Sequence, residues 1–596
     1  MTPRLTLLPL AFALVATVTF ASPAGEDDTA AATEKEMVRD PATGKIVTAP
    51  EYGGTITLGS AHEPPNADPG QGHPGQFIFG FTNEKLGFAD WAIDRQRFSF
   101  DSQWVPDFAV TGQLAESWEQ TDPVTYTVRI RDGVHWHDKA PMNGRELTAK
   151  DVEYNWHRYL GLGSGYTEVN PFVAQWSQLD DVGIESVTAN DDRTVVFKLK
   201  SPNLAAERTI IYQYSSYIMP PEVIEEHGDL LDWRNLVGTG PYELVDWVEG
   251  SSLSYTKNPN YWAFDEKYPD NRLPYIDEIV WLVMPDESTR LAAFRSGQID
   301  YLGSVTLSHI ASLDVLEDLR RTNPDIQVSQ YYESGIGLAM NLAVEPTNDI
   351  RVRHAIQMAL DVEAINDSYW QGTGRTTPEA YTAIDIVGYS PPFDEWPEEI
   401  KKFYRYNPAE AEKLLDDAGY PRGADGIRFK TNIEFRDVYD INKFEILAEQ
   451  LLEIGVDVDL QIMTTADWAD GIQNHDYQSM TAAPQGNPWG ILAPLAHSVS
   501  TSGWNPAGVS NAEYDALIQV AQNASTVEEQ QKASQEALLL MLRDHYYVWA
   551  GKGPNFNVNQ PWVKGFNGEF TLGHTMRAGV VTRLWLDLDL KKSMGF

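Results

Sequence analysis

From Leu114 to Val152 the chain reads LAESWEQTDPVTYTVRIRDGVHWHDKAPMNGRELTAKDV, and this stretch constrains the backbone most tightly. Tyr126, Val128 and Ile130 alternate with Thr125, Thr127 and Arg129. A period of two describes a strand with one face buried, not an amphipathic helix. Arg131-Asp132-Gly133 supplies a turn, because glycine reaches backbone angles other residues avoid. Val134, Trp136 and His137-Asp138 follow, and Thr148-Ala149-Lys150-Asp151 opens a helix expected to run through Tyr159.

The same reasoning places elements elsewhere. Gly53 to Gly59, Thr194 to Leu199, Tyr242 to Val248 and Ile279 to Val283 read as strands, and Leu253 to Thr256 as a hairpin partner. Asp286 caps a helix that Gly297 ends. Asn407-Pro408-Ala409-Glu410 combines a cap, a proline at the first helical position and a glutamate three residues after the cap. A helix from about Lys443 to Ile454 precedes a strand from Val456 to Ile462, and Thr526-Val527-Glu528-Glu529 opens another helix. Strands alternating with helices of this length indicate α/β organisation. A chain of 596 residues exceeds what one hydrophobic core usually serves, so two or more lobes are expected.

Composition excludes several classes. With no cysteine there are no disulfides, thiolate metal sites or cysteine nucleophiles. A formal charge of -41 opposes nucleic acid and anionic membrane surfaces, and reads most simply as a solvated acidic exterior. Arg4, the apolar run Leu5 to Phe20 and the small residues Ala21, Ser22 and Ala24 form a signal peptide over residues 1–24. Residues 25–50, rich in Ala, Glu, Asp and Thr, are expected to be a disordered leader. No G-x-S-x-G, P-loop or H-E-x-x-H pattern occurs, so neither catalysis nor a cofactor is expected. His135 and His137 lie two apart on an extended segment and share a face, a spacing open to metal. The bland reading prevails there, and no metal site is assigned.

LAESW, the YTVRIRDGV core, HD and T-A-x-D-V, in that order and spacing, resemble the signature of the family 5 extracytoplasmic solute-binding proteins, the oligopeptide and dipeptide receptors of ABC importers. GTGPYELVDWVEGSSLSYTKNPNYW and the strand ending in Asn341 continue the resemblance, which covers about residues 52 to 552. It implies a two-lobed α/β periplasmic binding protein fold of class II, the large subtype with an extra subdomain. One lobe would combine residues 50–325 and 550–596, with the subdomain at 99–228; the other would span 326–549. A monomer that delivers its solute to an inner-membrane permease pair with cytoplasmic ATPases is the implied role. The missing lipobox cysteine implies a freely soluble periplasmic protein.

The resemblance also bears on cargo. Peptide-binding relatives carry an arginine, a tryptophan and an aspartate at three-residue intervals on a second-lobe segment. Aligned here on Asp476 and Pro488, those positions hold Ser479, Ala482 and Gln485. A peptide remains the expected solute, with an oligosaccharide or other neutral polar solute as the alternative and a secreted hydrolase on the same scaffold more remote. Gln485, Asn487, Trp489, Trp504 and Asn505 are the candidate ligand-binding residues, since aromatic faces and amides suit polar solutes. Each tryptophan also has a plain packing reading. Glu63, in the loop after the first strand, is the candidate substitute for the missing acid.

Overall fold

The computed structural model describes residues 35–64, 66–68, 79–100, 105–170, 183–212, 216–332, 335–379, 388–436, 439–485, 492, 495, 497–502, 505–570, 572 and 578–596. The strands that build its three main sheets are, in chain order, β1 (Thr55–Ser60), β2 (Ala115–Asp122), β3 (Thr125–Ile130), β4 (Ile184–Ala189), β5 (Thr194–Leu199), β6 (Tyr242–Val248), β7 (Ser252–Lys257) and β8 (Glu278–Val283). They continue with β9 (Tyr301–Leu302), β10 (Gln327–Tyr331), β11 (Gly335–Met340), β12 (Phe429–Arg436), β13 (Val456–Met463), β14 (Met480–Gln485), β15 (Tyr547–Val548) and β16 (Asn555–Asn559).

The signature stretch folds as its alternation dictates. Tyr126, Val128 and Ile130 of β3 are buried while Arg129 is exposed. Gly133 takes a positive φ of 74° in the turn. Helix α1 (Ala149–Leu160) starts at a capping box in which Thr148 and Asp151 satisfy each other's backbone amides. Arg145 fixes that carboxylate from outside, donating from Nη1 and Nη2 at 2.9 and 2.6 Å. Sheet order β2-β3-β5-β4, with α1 packed across it, makes a subdomain. Trp156 of α1 meets Phe197 of β5 edge-on at 5.3 Å, a geometry that adds about 1 kcal/mol to its burial.

His137 joins this subdomain to the first lobe. Its Nδ1 accepts from the Gly238 amide at 3.1 Å, so its Nε2 is the nitrogen that donates to the Gly240 carbonyl at 3.0 Å. Burial holds its pKa down at about 4, which keeps the ring neutral in that role. A side chain at Gly238 would put Cβ 1.7 Å from the Thr82 carbonyl oxygen, so the glycine is required by close approach. Among the described residues no cluster of three metal-ligating side chains occurs.

The first lobe is built on the seven-stranded order β6-β7-β8-β1-β9-β16-β10. β1 runs parallel to β8 and β9, whereas β16 runs antiparallel to β9 and β10. The second lobe is built on β13-β12-β14-β11-β15, with its first three strands parallel. One apolar core spans the first sheet and the subdomain, and separate cores serve the second lobe. β10 belongs to the first sheet, which carries that lobe's sheet to Tyr331, beyond the boundary at 325 expected from sequence.

The leader departs from expectation. Residues 35–50 are folded: Met37–Arg39 pairs with Ile46–Thr48 as a small antiparallel ribbon. Asp40 accepts from the buried Lys267 ammonium at 3.1 Å, and Lys35 reaches Asp587 at 2.5 Å. Composition alone reads such a segment as unstructured, because its partners lie more than 200 residues away in sequence. The signal-peptide assignment falls outside the described residues.

Candidate binding cleft

The chain passes between the lobes twice, from Tyr331 to Gly335 and from Val548 to Asn555. In the first sheet Tyr331 pairs with Asn555, so both crossings leave from the edge where β1, β8 and β9 end. In the second sheet Gly335 pairs with Gln485, so both arrive at the edge where β12, β13 and β14 end. The carboxyl ends of the parallel strands in the two lobes therefore lie on either side of one cleft. That edge is where open α/β sheets receive ligands.

A single second-lobe loop grips both crossings. The Tyr332 hydroxyl donates to the Thr373 carbonyl at 2.8 Å, and the Arg375 guanidinium lies 4.1 Å over the Tyr332 ring. Arg375 and Lys552 exchange backbone hydrogen bonds of 2.8 and 3.0 Å. Trp370 packs so closely on the second crossing that a Cβ at Gly553 would stand 2.1 Å from its Nε1. Outside the crossings, Gln371 Nε2 donates to Asp314 Oδ1 of the first lobe at 3.0 Å.

On the first-lobe edge, Glu63 follows β1 as expected, but its carboxylate is engaged within its own lobe. It accepts from Trp247 Nε1 at 2.6 Å and from the Gly250 amide at 2.9 and 3.0 Å. These contacts tie the loop after β1 to the β6–β7 turn at the rim of the cleft. Further along that loop, buried Asp68 accepts from Arg158 at 2.7 Å and from the Leu230 amide at 3.1 Å, anchoring the loop to α1.

On the second-lobe edge, Gln485 closes β14, where its backbone pairs with Gly335. Ser479 and Ala482, the other two positions aligned with the relatives' anchors, are 5% and 0% exposed, inside the lobe rather than on the cleft. Asn505 is a loop builder: its Nδ2 donates to the Val499 and Val509 carbonyls, and its Oδ1 accepts from the Val509 amide. These bonds engage both ends of its amide within the loop. Asn487, Trp489 and Trp504 lie outside the described residues.

Arg436, which sequence reasoning passed over, ends β12 at this edge. Its guanidinium carbon lies 4.5 Å from the Tyr439 ring centre and 5.0 Å from that of Trp468. Nη2 donates to the Tyr439 hydroxyl at 2.7 Å, while Nε is buried with no acceptor. Helices α2 (Ile441–Glu453) and α3 (Thr465–Asn474) begin just beyond β12 and β13, capped by Asp440 and Thr464. Sequence offered little signal for it, because Arg436 closes a strand that already carries Lys430, Asn432 and Glu434.

The family model described as bacterial extracellular solute-binding proteins, family 5 Middle, matches residues 109–506. Heme-binding protein A of Haemophilus influenzae is 26% identical over 478 residues, covering 76% of this chain and 81% of that protein. The periplasmic oligopeptide-binding protein OppA of Salmonella typhimurium is 25% identical over 495 residues, with 76% and 81% covered. Among solved structures, the ABC transporter-associated periplasmic binding protein DppA from Helicobacter pylori, in complex with peptide STSA, superposes with a TM-score of 0.68 at 21% identity. That likeness covers 90% of this chain and 99% of the DppA chain.

Proposed function

This chain belongs to the bacterial extracellular solute-binding proteins of family 5, and from that premise we propose that it captures a peptide between its lobes for an ABC importer. The observation that carries the reading is the cleft itself: two sheets present the carboxyl ends of their parallel strands to each other across two chain crossings. A pair of crossings acts as a hinge, and closure around a solute is the motion such a hinge permits. Excluding water on closure strengthens every polar contact inside, because the local dielectric falls. An inner-membrane permease with cytoplasmic ATPases would receive the closed form, and the protein would act as a periplasmic monomer.

Peptide is the preferred cargo because the relatives described above include an oligopeptide-binding protein and a structure holding a peptide. Gln485 stands at the cleft edge, and we assign it and the residues that follow to the solute. Glu63 has a different place in this reading: it shapes the rim, and it does not replace the acid that peptide-binding relatives use. The role is binding without chemistry.

Incubation of the purified protein with a mixed peptide library, followed by ligand extraction and mass spectrometry, tests the proposal. A solute that binds only the folded state also raises the melting midpoint. Peptides recovered intact, with a raised midpoint, are the expected result. Recovery of cleaved peptides would assign an enzyme, and stabilisation by neutral oligosaccharides alone would reassign the cargo.

A further inference from the structure

We infer that the cavity between the N-terminal ribbon and the first lobe is a second ligand site, which takes a small monocarboxylate with an apolar body. It is separate from the cleft and stands independently of what the cleft holds. Gln327, which lines it, begins β10 and pairs with Asn559, whereas the crossings leave from Tyr331 and Asn555 at the other end of those strands.

The cavity has a volume of about 330 Å³. The ribbon forms one wall through Met37, Ile46 and Val47, and the first lobe forms the other. Met37 and Ile46 are more than half exposed, so the cavity opens to solvent beside them. Two donors meet inside. In the ladder of Val563–Lys564 with Trp585–Leu586, Lys564 lies directly opposite Trp585, so both side chains project from one face. Trp585 is 4% exposed, yet its indole N–H donates to no described residue. The half-buried Lys564 ammonium likewise has no acceptor or ion-pair partner among the described residues. Burial lowers its pKa in spite of the Asp587 carboxylate, so the charge is poorly compensated where it stands.

The neighbouring acids already have partners. Asp587 accepts from Lys35 at 2.5 Å and from the Leu590 amide at 2.9 Å. Asp40 accepts from Lys267 at 3.1 Å, and Glu266 from Arg583 at 2.9 Å. Asp265 accepts from the Tyr275 hydroxyl at 2.8 Å and from the Lys267 amide at 2.7 Å. One uncompensated ammonium calls for one negative charge, and the two oxygens of a carboxylate supply an acceptor to each donor. Gly565, at a positive φ of 86°, keeps the pyrrole edge of the indole open; a Cβ there would stand 3.6 Å from Trp585 Cδ1. Trp91, Tyr268 and Phe566 complete the walls, which suit an aryl or acyl body better than a hydrated phosphate or sugar acid.

Calorimetry on the full-length mature protein tests the site, with 3-phenylpropanoate against 3-phenylpropanamide, and octanoate against octanamide, as matched probes. Wild type, Lys564→Met, Trp585→Phe and Val47→Trp are compared, with each apo melting midpoint recorded to confirm folding. Either acid should bind the wild type about ten-fold or more tightly than its amide, the margin of one charge-assisted hydrogen bond. Lys564→Met should abolish that preference, and Trp585→Phe should weaken the acid about three-fold or more. Val47→Trp fills the cavity from the ribbon side and should remove binding of acid and amide alike. A wild type that binds neither acid, or binds acid and amide equally, overturns the inference, as does a Lys564→Met protein that keeps the preference. Binding that survives Val47→Trp unchanged overturns it too, because the ligand then sits elsewhere, in the cleft. Binding of one acid alone, with the same dependence on Lys564, upholds the site and assigns its aryl or acyl body. Should one variant fail to fold, the others still decide the matter.

Discussion

Glu84 offers the most direct quantitative test of how the first lobe is held together. It is 1% exposed, and its Oε1 accepts from Gln113 Nε2 at 3.1 Å and from the Tyr261 hydroxyl at 2.9 Å. Oε2 accepts from Trp262 Nε1 at 3.1 Å. These donors favour the charged form, yet burial outweighs them and pushes the carboxyl from 4.5 up to about 7. The folded state thus holds a proton that the unfolded chain releases near pH 4.5. The associated stability is complete below that pH and lost as pH rises through about 7. At about 1.4 kcal/mol per unit, the loss is about 3 kcal/mol.

Other groups titrate in the same protein; the adjacent Lys85, for one, has its pKa lowered by burial, so its contribution runs the opposite way. Comparing wild type with Glu84→Gln cancels them, because both proteins contain them. Glutamine cannot serve all three donors, so the variant starts less stable at pH 5. Between pH 5 and pH 8 the gap should close by about 3 kcal/mol, several degrees in the first-lobe transition by calorimetry. Parallel curves of midpoint against pH for the two proteins would refute the reasoning.

Lys443 gives the opposite sign. Burial beside Trp370 lowers its pKa from 10.5 to about 7, so stability present at high pH is lost as pH falls toward 7. Lys443→Met should raise the melting midpoint at pH 6 and change it much less at pH 10; equal shifts at both would contradict this account. Trp247→Phe removes the indole donor from Glu63 and should cost about 1–2 kcal/mol by chemical denaturation, while an unchanged midpoint would show the rim contact to be idle. Gly553→Ala forces a methyl group into Trp370 at the second crossing and should cost about 1–3 kcal/mol. Small-angle scattering with and without solute should then show an altered degree of closure, and a melting curve matching wild type would remove the steric argument.

Local patterns were readable without a structure because their physics is local. Alternation in Thr125 to Ile130 sets a strand whatever surrounds it, and the caps at Asp286, Asn407 and Thr526 accept from amides only three residues onward. The spaced signature identified the receptor scaffold for the same reason, since it is written along one stretch of chain. What each polar side chain does was decided by distant partners. Glu63 looked free for a solute until a turn nearly 190 residues away took its carboxylate. Asn505 looked like a sugar-binding amide until its own loop closed around it. Periodicity and capping are properties of neighbouring residues, so sequence determined the elements and the scaffold. Whether a charge is satisfied depends on which strand ends meet across the cleft, and only the tertiary structure decided that.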